Sequence, residues 1–260
     1  MDQKLIDSLG EELHGALVSR VPVEPLTSRY REIAIEDAYR IQRRMVDYRL
    51  AKGDKIVGHK IGVTSKAVMS MLGVGQPDFG CLLDSMVYQE GQAVDAKTLI
   101  QPKAEGEIAF VMKRDLMGPG VTAADVLAAT EGVMVCFEIV DSRIRDWKIK
   151  IQDTVADNAS CGGLVLGSQL VDVRDADLVT CGMVLEKNGE VVVTGAGAAT
   201  MNSPINAMIW LANTLGRLGV PLKAGEIVLS GALGAMVPVV AGDQLRVSIG
   251  GIGSCSIRFS

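Results

Sequence analysis

The run Val133-Met-Val-Cys-Phe-Glu138-Ile-Val is apolar except for one glutamate. A short apolar run rich in β-branched and aromatic residues reads as a strand buried on both faces. An ionised carboxylate inside such a strand is costly unless it is paired or holds a cation. Any fold of this chain must therefore give Glu138 a partner. A second apolar strand, 107–112, follows Pro102-Lys-Ala-Glu105-Gly-Glu107. Residues two apart on a strand share a face, so Glu105 and Glu107 repel unless a cation or a shared proton intervenes. The chain has 2 histidines, His14 and His59, so a histidine-rich metal site is excluded. Three carboxylates make a hard, all-oxygen site suited to Mg²⁺ or Mn²⁺. The residues alone leave a second reading open, in which Glu105 and Glu107 lie on a solvated face and Glu138 pairs with an arginine such as Arg143.

Around these strands the pattern is mixed. Leu5, Leu9, Leu13, Ala16 and Leu17 recur at helical spacing over 2–19, with His14 on a surface helix, and a second helix is expected over 35–50. Pro22, Pro25 and Ser28 lie between them. From Lys55 the texture changes to short β-like runs broken by Gly and Pro. Strands are expected at 55–61, 82–88, 107–112 and 133–140, with helices at 64–72 and 123–130. Asn188-Gly189 predicts a hairpin between 182–186 and 190–194. Ser203 caps a helix over 203–218 with Pro204 at its first position. Dispersed helices and many strands point to an α+β protein: a mixed β-sheet roll or barrel over 54–260, preceded by an N-terminal helical arm over 1–53, as one structural unit.

Charge and length exclude several functions. Lys plus Arg is 26 and Asp plus Glu is 31, a net charge of -5, which argues against a nucleic-acid or anionic-membrane binder. Aromatic residues are 4%, so base-stacking platforms are scarce. No secretory leader and no membrane-length apolar run are found, and the 5 cysteines form no CxxC pair. A cytoplasmic protein with reduced thiols is expected. Gly53-Asp-Lys-Ile-Val-Gly58-His59-Lys60 resembles a phosphate-binding loop but has His59 before the lysine and Ile61 after it.

Three further residues are candidates. Lys60, between Gly58 and Gly62, reads either as a buried cation facing a substrate anion or as a strand-end lysine. Asp78 in Gln-Pro-Asp78-Phe-Gly reads equally as a turn former. Ser160 ends the polar loop Asp157-Asn-Ala-Ser160 before a Gly-rich strand.

Several of these segments together resemble one family. They are Gly-His-Lys60-Ile-Gly-Val-Thr-Ser, Gln-Pro-Asp78-Phe-Gly, Pro-Lys-Ala-Glu105-Gly-Glu107, Phe-Glu138-Ile-Val-Asp-Ser-Arg-Ile-Arg-Asp-Trp147 and Asp153-Thr-Val-Ala-Asp-Asn-Ala-Ser160-Cys-Gly, with the closing Gly-Ile-Gly-Ser-Cys-Ser-Ile-Arg-Phe. The chain is similar, over nearly its whole length, to the 2-hydroxypenta-2,4-dienoate (2-oxopent-4-enoate) hydratases of aromatic meta-cleavage pathways, within the fumarylacetoacetate hydrolase superfamily. The resemblance implies a β-roll with one divalent metal, Mg²⁺ or Mn²⁺, held by Glu105, Glu107 and Glu138. It implies catalytic roles for Lys60 and Asp78, and substrate binding by Lys60 and Ser160. It implies a small-molecule 2-hydroxydienoate or 2-oxo acid substrate, a homo-oligomer with the N-terminal arm as a plausible contact, and a complex with 4-oxalocrotonate decarboxylase. That decarboxylase family is also the nearest rival reading. Two residues favour the hydratase: Asp78, where the rival has an apolar residue, and Gly163, where it has an arginine that would pair with a second substrate carboxylate.

Overall fold

The computed structural model describes residues 1–260. In chain order the helices are α1 (Gln3–Ser19), α2 (Leu26–Arg29), α3 (Ile35–Leu50), α4 (Lys66–Leu72), α5 (Ala123–Ala129), α6 (Ile151–Ala156) and α7 (Pro204–Arg217). The strands are β1 (Ile56–Gly62), β2 (Asp78–Leu83), β3 (Val87–Tyr88), β4 (Ala93–Val94), β5 (Pro102–Met112), β6 (Thr130–Asp141), β7 (Cys161–Leu166), β8 (Gly182–Lys187), β9 (Glu190–Ala196), β10 (Ile227–Ala232), β11 (Val237–Pro238), β12 (Gln244–Ile249) and β13 (Gly253–Phe259). They form two sheets. The larger runs β2-β1-β10-β5-β6-β7-β3, with β11 added beside β5, and the smaller runs β4-β13-β12-β8-β9. The larger sheet is mixed, since β1 pairs β10 in parallel while β5 pairs both β10 and β6 antiparallel. This is the expected α+β roll. No helix is long and apolar enough to cross a membrane.

Alternation along β5 and β6 gives the larger sheet two different faces. Ala104, Ile108 and Phe110 on β5, with Val135, Phe137 and Ile139 on β6, face the smaller sheet and join Val247 and Ile257 in the main core. Residue 106 of that face is glycine, and a Cβ there would stand 2.7 Å from both Met183 Sδ and Val247 Cγ2. The other face carries Glu105, Glu107 and Ala109 on β5, opposite Glu138, Cys136 and Met134 on β6. The three glutamates thus occupy one side of the two strands, and the residues behind them on the reverse side, from Ala104 to Phe110 and from Val133 to Ile139, are apolar or glycine.

The N-terminal helices cover this charged side. Ile6, Leu9 and Leu13 of α1 and Ala38, Ile41 and Met45 of α3 share a core with Ile144, Val155 and Ala156 from beside and within α6. Polar anchors fix the same contact. The buried Asp153 accepts from the backbone and hydroxyl of Thr27 at 2.9 and 2.7 Å and from Lys150 N at 2.9 Å. Gln42 of α3 donates to the carbonyls of Phe79 and Val155, both at 2.9 Å.

Three local expectations change. The run 82–88 is not one strand: Asp84 accepts from Lys55 N and Ser85 N, each at 3.0 Å, and turns the chain between β2 and β3. The strand expected at 107–112 begins at Pro102, because β11 and β6 pair with its early residues. His14 is buried instead of on the surface; its ring stacks on Tyr48 at 5.3 Å and Lys52 Nζ lies 3.0 Å from Nε2.

Asp153→Ala would leave the buried Thr27 amide and hydroxyl, and the Lys150 amide, without their acceptor. The expected loss is about 2–4 kcal/mol of unfolding free energy, read from urea denaturation. A change below about 0.5 kcal/mol would show that this anchor does not hold the helices to α6.

Candidate active site and metal centre

The charged face of β5 and β6 brings Glu105, Glu107 and Glu138 together, with one carboxylate oxygen of each within 4.8 Å of the others. Glu105 and Glu138 are direct cross-strand partners. Glu107 is 1% exposed and Glu138 is 0% exposed. Glu107 Oε2 accepts from the Gly231 amide at 2.8 Å, but Glu107 Oε1 and both oxygens of Glu138 receive no hydrogen bond. Burial, and then the Glu138 charge, push the Glu105 carboxyl up to about 7 and Glu107 well above the usual carboxylate range. Three carboxylates, buried or half-buried, with three oxygens lacking donors are a set of hard ligands short of positive charge. A divalent cation fits that requirement.

One protein cation reaches the cluster. Lys60 of β1 is 3% exposed. Its Nζ lies 3.2 Å from Glu138 Oε1 and donates to the Ala159 carbonyl at 3.0 Å. Burial alone would discharge it, but the fields of Glu138, Asp78 and Glu105 outweigh burial and hold the ammonium charged. Asp78 opens β2 in register with Gly62, two residues beyond Lys60, so it shares the Lys60 face. It is 2% exposed with Oδ1 unpartnered. Burial raises its pKa although Lys60 opposes the shift. A Cβ on Gly62 would stand 2.3 Å from Asp78 Oδ1 and 3.1 Å from Lys60 Nζ, so only glycine leaves room for the pair.

Ser160 arrives by an unusual backbone. Asn158, Ala159 and Ser160 have φ of 52, 50 and 54°, three successive residues in the left-handed region with no glycine among them. Each such residue costs roughly 1–2 kcal/mol, somewhat less for Asn. Asn158 is clamped to β2, accepting from Cys81 N at 2.8 Å and donating to Cys81 O at 2.9 Å. The Ser160 hydroxyl is 3.2 Å from Thr154 Oγ1 and 3.5 Å from Asp157 Oδ2, both long for O–H···O bonds. Strain of this kind concentrates at functional sites.

Asp78 also borders a cavity of about 460 Å³ walled by Ile35, Tyr39, Val74, Pro77 and Ile151, with Gln76 beside them. No lysine, arginine or histidine lines it. A cavity of similar size, about 470 Å³ and bordered by Arg20, Arg49 and Lys52, lies among α1, α3 and β3 and includes none of the six candidate residues.

The sequence profile described as fumarylacetoacetate (FAA) hydrolase C-terminal matches residues 63–260. The chain belongs to the fumarylacetoacetate hydrolase family. Within it, the chain is 65% identical to a 2-hydroxypent-2,4-dienoate hydratase of Pseudomonas putida, over 85% of this chain and 100% of that one. It is 55% identical to a 2-hydroxyhexa-2,4-dienoate hydratase of Comamonas testosteroni, over 100% of this chain and 99% of that one. Among solved structures, 4-oxalocrotonate decarboxylase from Pseudomonas putida G7, complexed with magnesium and adipate, superposes with a TM-score of 0.97 at 38% identity, covering 100% of this chain and 99% of that one.

Five of the six candidate residues, Lys60, Asp78, Glu105, Glu107 and Glu138, converge, and Ser160 follows Ala159, whose carbonyl meets Lys60. Two sequence readings do not survive. Glu138 does not pair with Arg143, whose guanidinium bonds Asp157 at 2.5 Å; its partner is Lys60. Gly163 does not face the site. It pairs with Ile139 on the apolar side of β6, and a Cβ there would stand 2.7 Å from Tyr88 Cε2. An arginine at 163 would start on the face opposite Glu138, so position 163 does not govern charge selection in this chain. Sequence reasoning gave no role to Gly62, the Gly231 amide or Asp157, and gave Arg143 a different partner. Only the glycines flanking Lys60 offered a signal.

Neither histidine joins the site. His59 is 4% exposed, and burial lowers its pKa from 6.5 to about 4. A neutral folded form means that stability is complete above pH 6.5 and is lost as pH falls toward 4, by about 3 kcal/mol at the acid end. His59→Gln should flatten this part of the stability curve in urea titrations between pH 7 and 4; an unaltered slope would exclude His59 as its source. Glu107→Gln should weaken Mn²⁺ binding at least tenfold, read by electron paramagnetic resonance titration. Wild-type affinity in that variant would remove Glu107 from the metal centre.

Proposed function

We propose that this chain is a divalent-metal-dependent hydratase, a hydro-lyase, that converts 2-hydroxypenta-2,4-dienoate to 4-hydroxy-2-oxopentanoate. The site supports that chemistry. Mg²⁺ or Mn²⁺ held by Glu105, Glu107 and Glu138 would supply Lewis-acid polarisation of the substrate's 2-oxygen and a counter-charge for its carboxylate. Around it the protein's own groups act. Ser160, with only long hydrogen bonds inside the protein, is free to donate to the substrate carboxylate. Lys60 holds its ammonium among the carboxylates and stabilises the anionic substrate. The reaction moves one proton from the 2-hydroxyl and delivers one to C5, giving an unsaturated ketone. Water then places hydroxyl on C4 and a proton on C3. Asp78 and Lys60 are the proton-carrying groups. The raised pKa and free Oδ1 of Asp78 suit it to orient and deprotonate water.

The observation that carries this reading over a decarboxylase is that the cavity bordered by Asp78 has no cationic side chain in its walls. A dienoate has one carboxylate, taken up at the metal end, and its vinyl end needs only apolar walls. A second carboxylate, as in 4-oxalocrotonate, would enter that cavity without a cation. The 65% identity to a hydratase supports the same choice. The exposed valines 191 and 192 on the edge strand β9 favour association with further subunits, in a homo-oligomer or with a decarboxylase.

Side by side, with Mg²⁺ and with Mn²⁺, dienol loss from 2-hydroxypenta-2,4-dienoate should exceed CO₂ release from 4-oxalocrotonate by about a thousandfold in kcat/KM. Efficient decarboxylation by the unaltered protein would overturn the hydratase reading.

A further inference from the structure

Arg143 is the largest fully buried side chain of the protein, 1% exposed, and Asp157 beside it is 0% exposed. Arg143 Nε donates to Asp157 Oδ1 at 2.5 Å, and the Arg143 backbone amide donates to Asp157 Oδ2 at 2.9 Å. The rest of the guanidinium serves carbonyls: those of Asp141 and Asp157, and that of Cys161 at 2.9 Å. Asp157 and Cys161 are the residues immediately before and after the left-handed turn Asn158–Ser160. One planar fork therefore grips both ends of the strained segment.

We propose that Arg143 and Asp157 are positioning residues for the reaction: a buried ion pair that clamps both ends of the turn and so sets the Ala159 carbonyl on Lys60 and the Ser160 hydroxyl in the substrate site. The proposal rests on the reading of Ser160 as a substrate contact. Three left-handed residues relax unless their ends are held apart from the ordinary strand path. A guanidinium meets several carbonyls and a carboxylate at once in fixed geometry, whereas a lysine is a single point charge. A buried ion pair is a poor device for stability alone, because desolvation consumes most of its attraction. Its use here lies in direction. Asp157 and Ser160 are further linked through the 3.5 Å contact between Oδ2 and Oγ.

The test uses the full-length, Mg²⁺-supplemented protein with Asp157→Asn, which keeps the size and loses the charge, and Arg143→Lys. Each is made alone and with Ser160→Ala. Hydrogen exchange in the segment 156–162 should accelerate at least tenfold in Asp157→Asn, with β5 and β6 unchanged. KM for the dienoate should rise at least tenfold. In the Ser160→Ala background the same substitution should raise KM by a smaller factor than it does in the wild-type background, because one of the two groups it positions is gone. Unchanged exchange in 156–162 overturns the proposal. So do effects that multiply in the double variant, or a lower kcat at constant KM, as a smaller folded fraction would give. Should Asp157→Asn not fold, Arg143→Lys carries the same measurements. A Ser160→Ala protein with wild-type KM removes Ser160 from the substrate site and overturns the proposal with it, whereas failure of the wild-type protein to hydrate the dienoate strikes the hydratase reading instead.

Discussion

Lys60 reaches Glu138 at 3.2 Å although β10 and β5 stand between their strands. Strands in a flat sheet are spaced about 4.8 Å apart, so three steps would separate the two backbones by about 14 Å. The contact exists because the larger sheet curls into a half-barrel and turns its charged face inward. Everything in the site follows from that curl. It brings Asp78 from β2, Lys60 from β1, the Gly231 amide from β10 and the glutamates from β5 and β6 onto one concave surface. It also leaves four carboxylates around a single ammonium. Burial lifts Glu105, Glu107 and Asp78 above their ordinary range, with the Glu138 charge adding to it, while the surrounding carboxylates hold Lys60 protonated, and the excess of negative charge suits a divalent cation.

The run Asp153-Thr-Val-Ala-Asp-Asn-Ala-Ser160, which carries much of the family resemblance, divides into different tasks. Asp153 binds the N-terminal helices through Thr27. Asp157 takes the guanidinium of Arg143. Asn158 locks onto the Cys81 backbone. Ala159 meets Lys60 through its carbonyl, and Ser160 is the residue proposed to contact substrate. The polar density of the run is mostly structural, and it serves to hold a backbone conformation that Ala159 and Ser160 do not favour by themselves. The N-terminal helices contribute to the site in the same indirect way: Gln42 ties α3 to Phe79, the residue after Asp78, and Ile35 and Tyr39 wall the cavity beyond it.

Much of this was legible in the amino-acid order. Strand character at 133–140, the shared face of Glu105 and Glu107, the hairpin at Asn188-Gly189 and the Ser203-Pro204 helix start depend on local sterics and side-chain period, which act over a few residues. The scarcity of histidine already directed the chemistry toward carboxylates. What lay outside local reach was pairing. Sequence allowed Glu138 an arginine partner, and Arg143 stands only five residues on; the sheet instead gives Glu138 to a lysine 78 positions earlier and turns Arg143 toward Asp157. His14 looked solvent-facing because helical periodicity identifies one buried stripe and is silent about a second surface packing on the other side.

Position 163 shows the limit most plainly. By itself the sequence determined that this chain builds strands carrying carboxylates in otherwise apolar runs, that a buried carboxylate among them needs a partner, and that a histidine-rich metal site is excluded. Which face of β6 and β7 each residue takes was decided by register, and a one-residue step reverses the face. Gly163 therefore points at Tyr88 while its neighbour Leu164 stands opposite Glu138. The absence of positive charge around the distal cavity was likewise decided by tertiary structure, because its walls come from α3, α6 and the segment before β2, which meet only when the chain is folded.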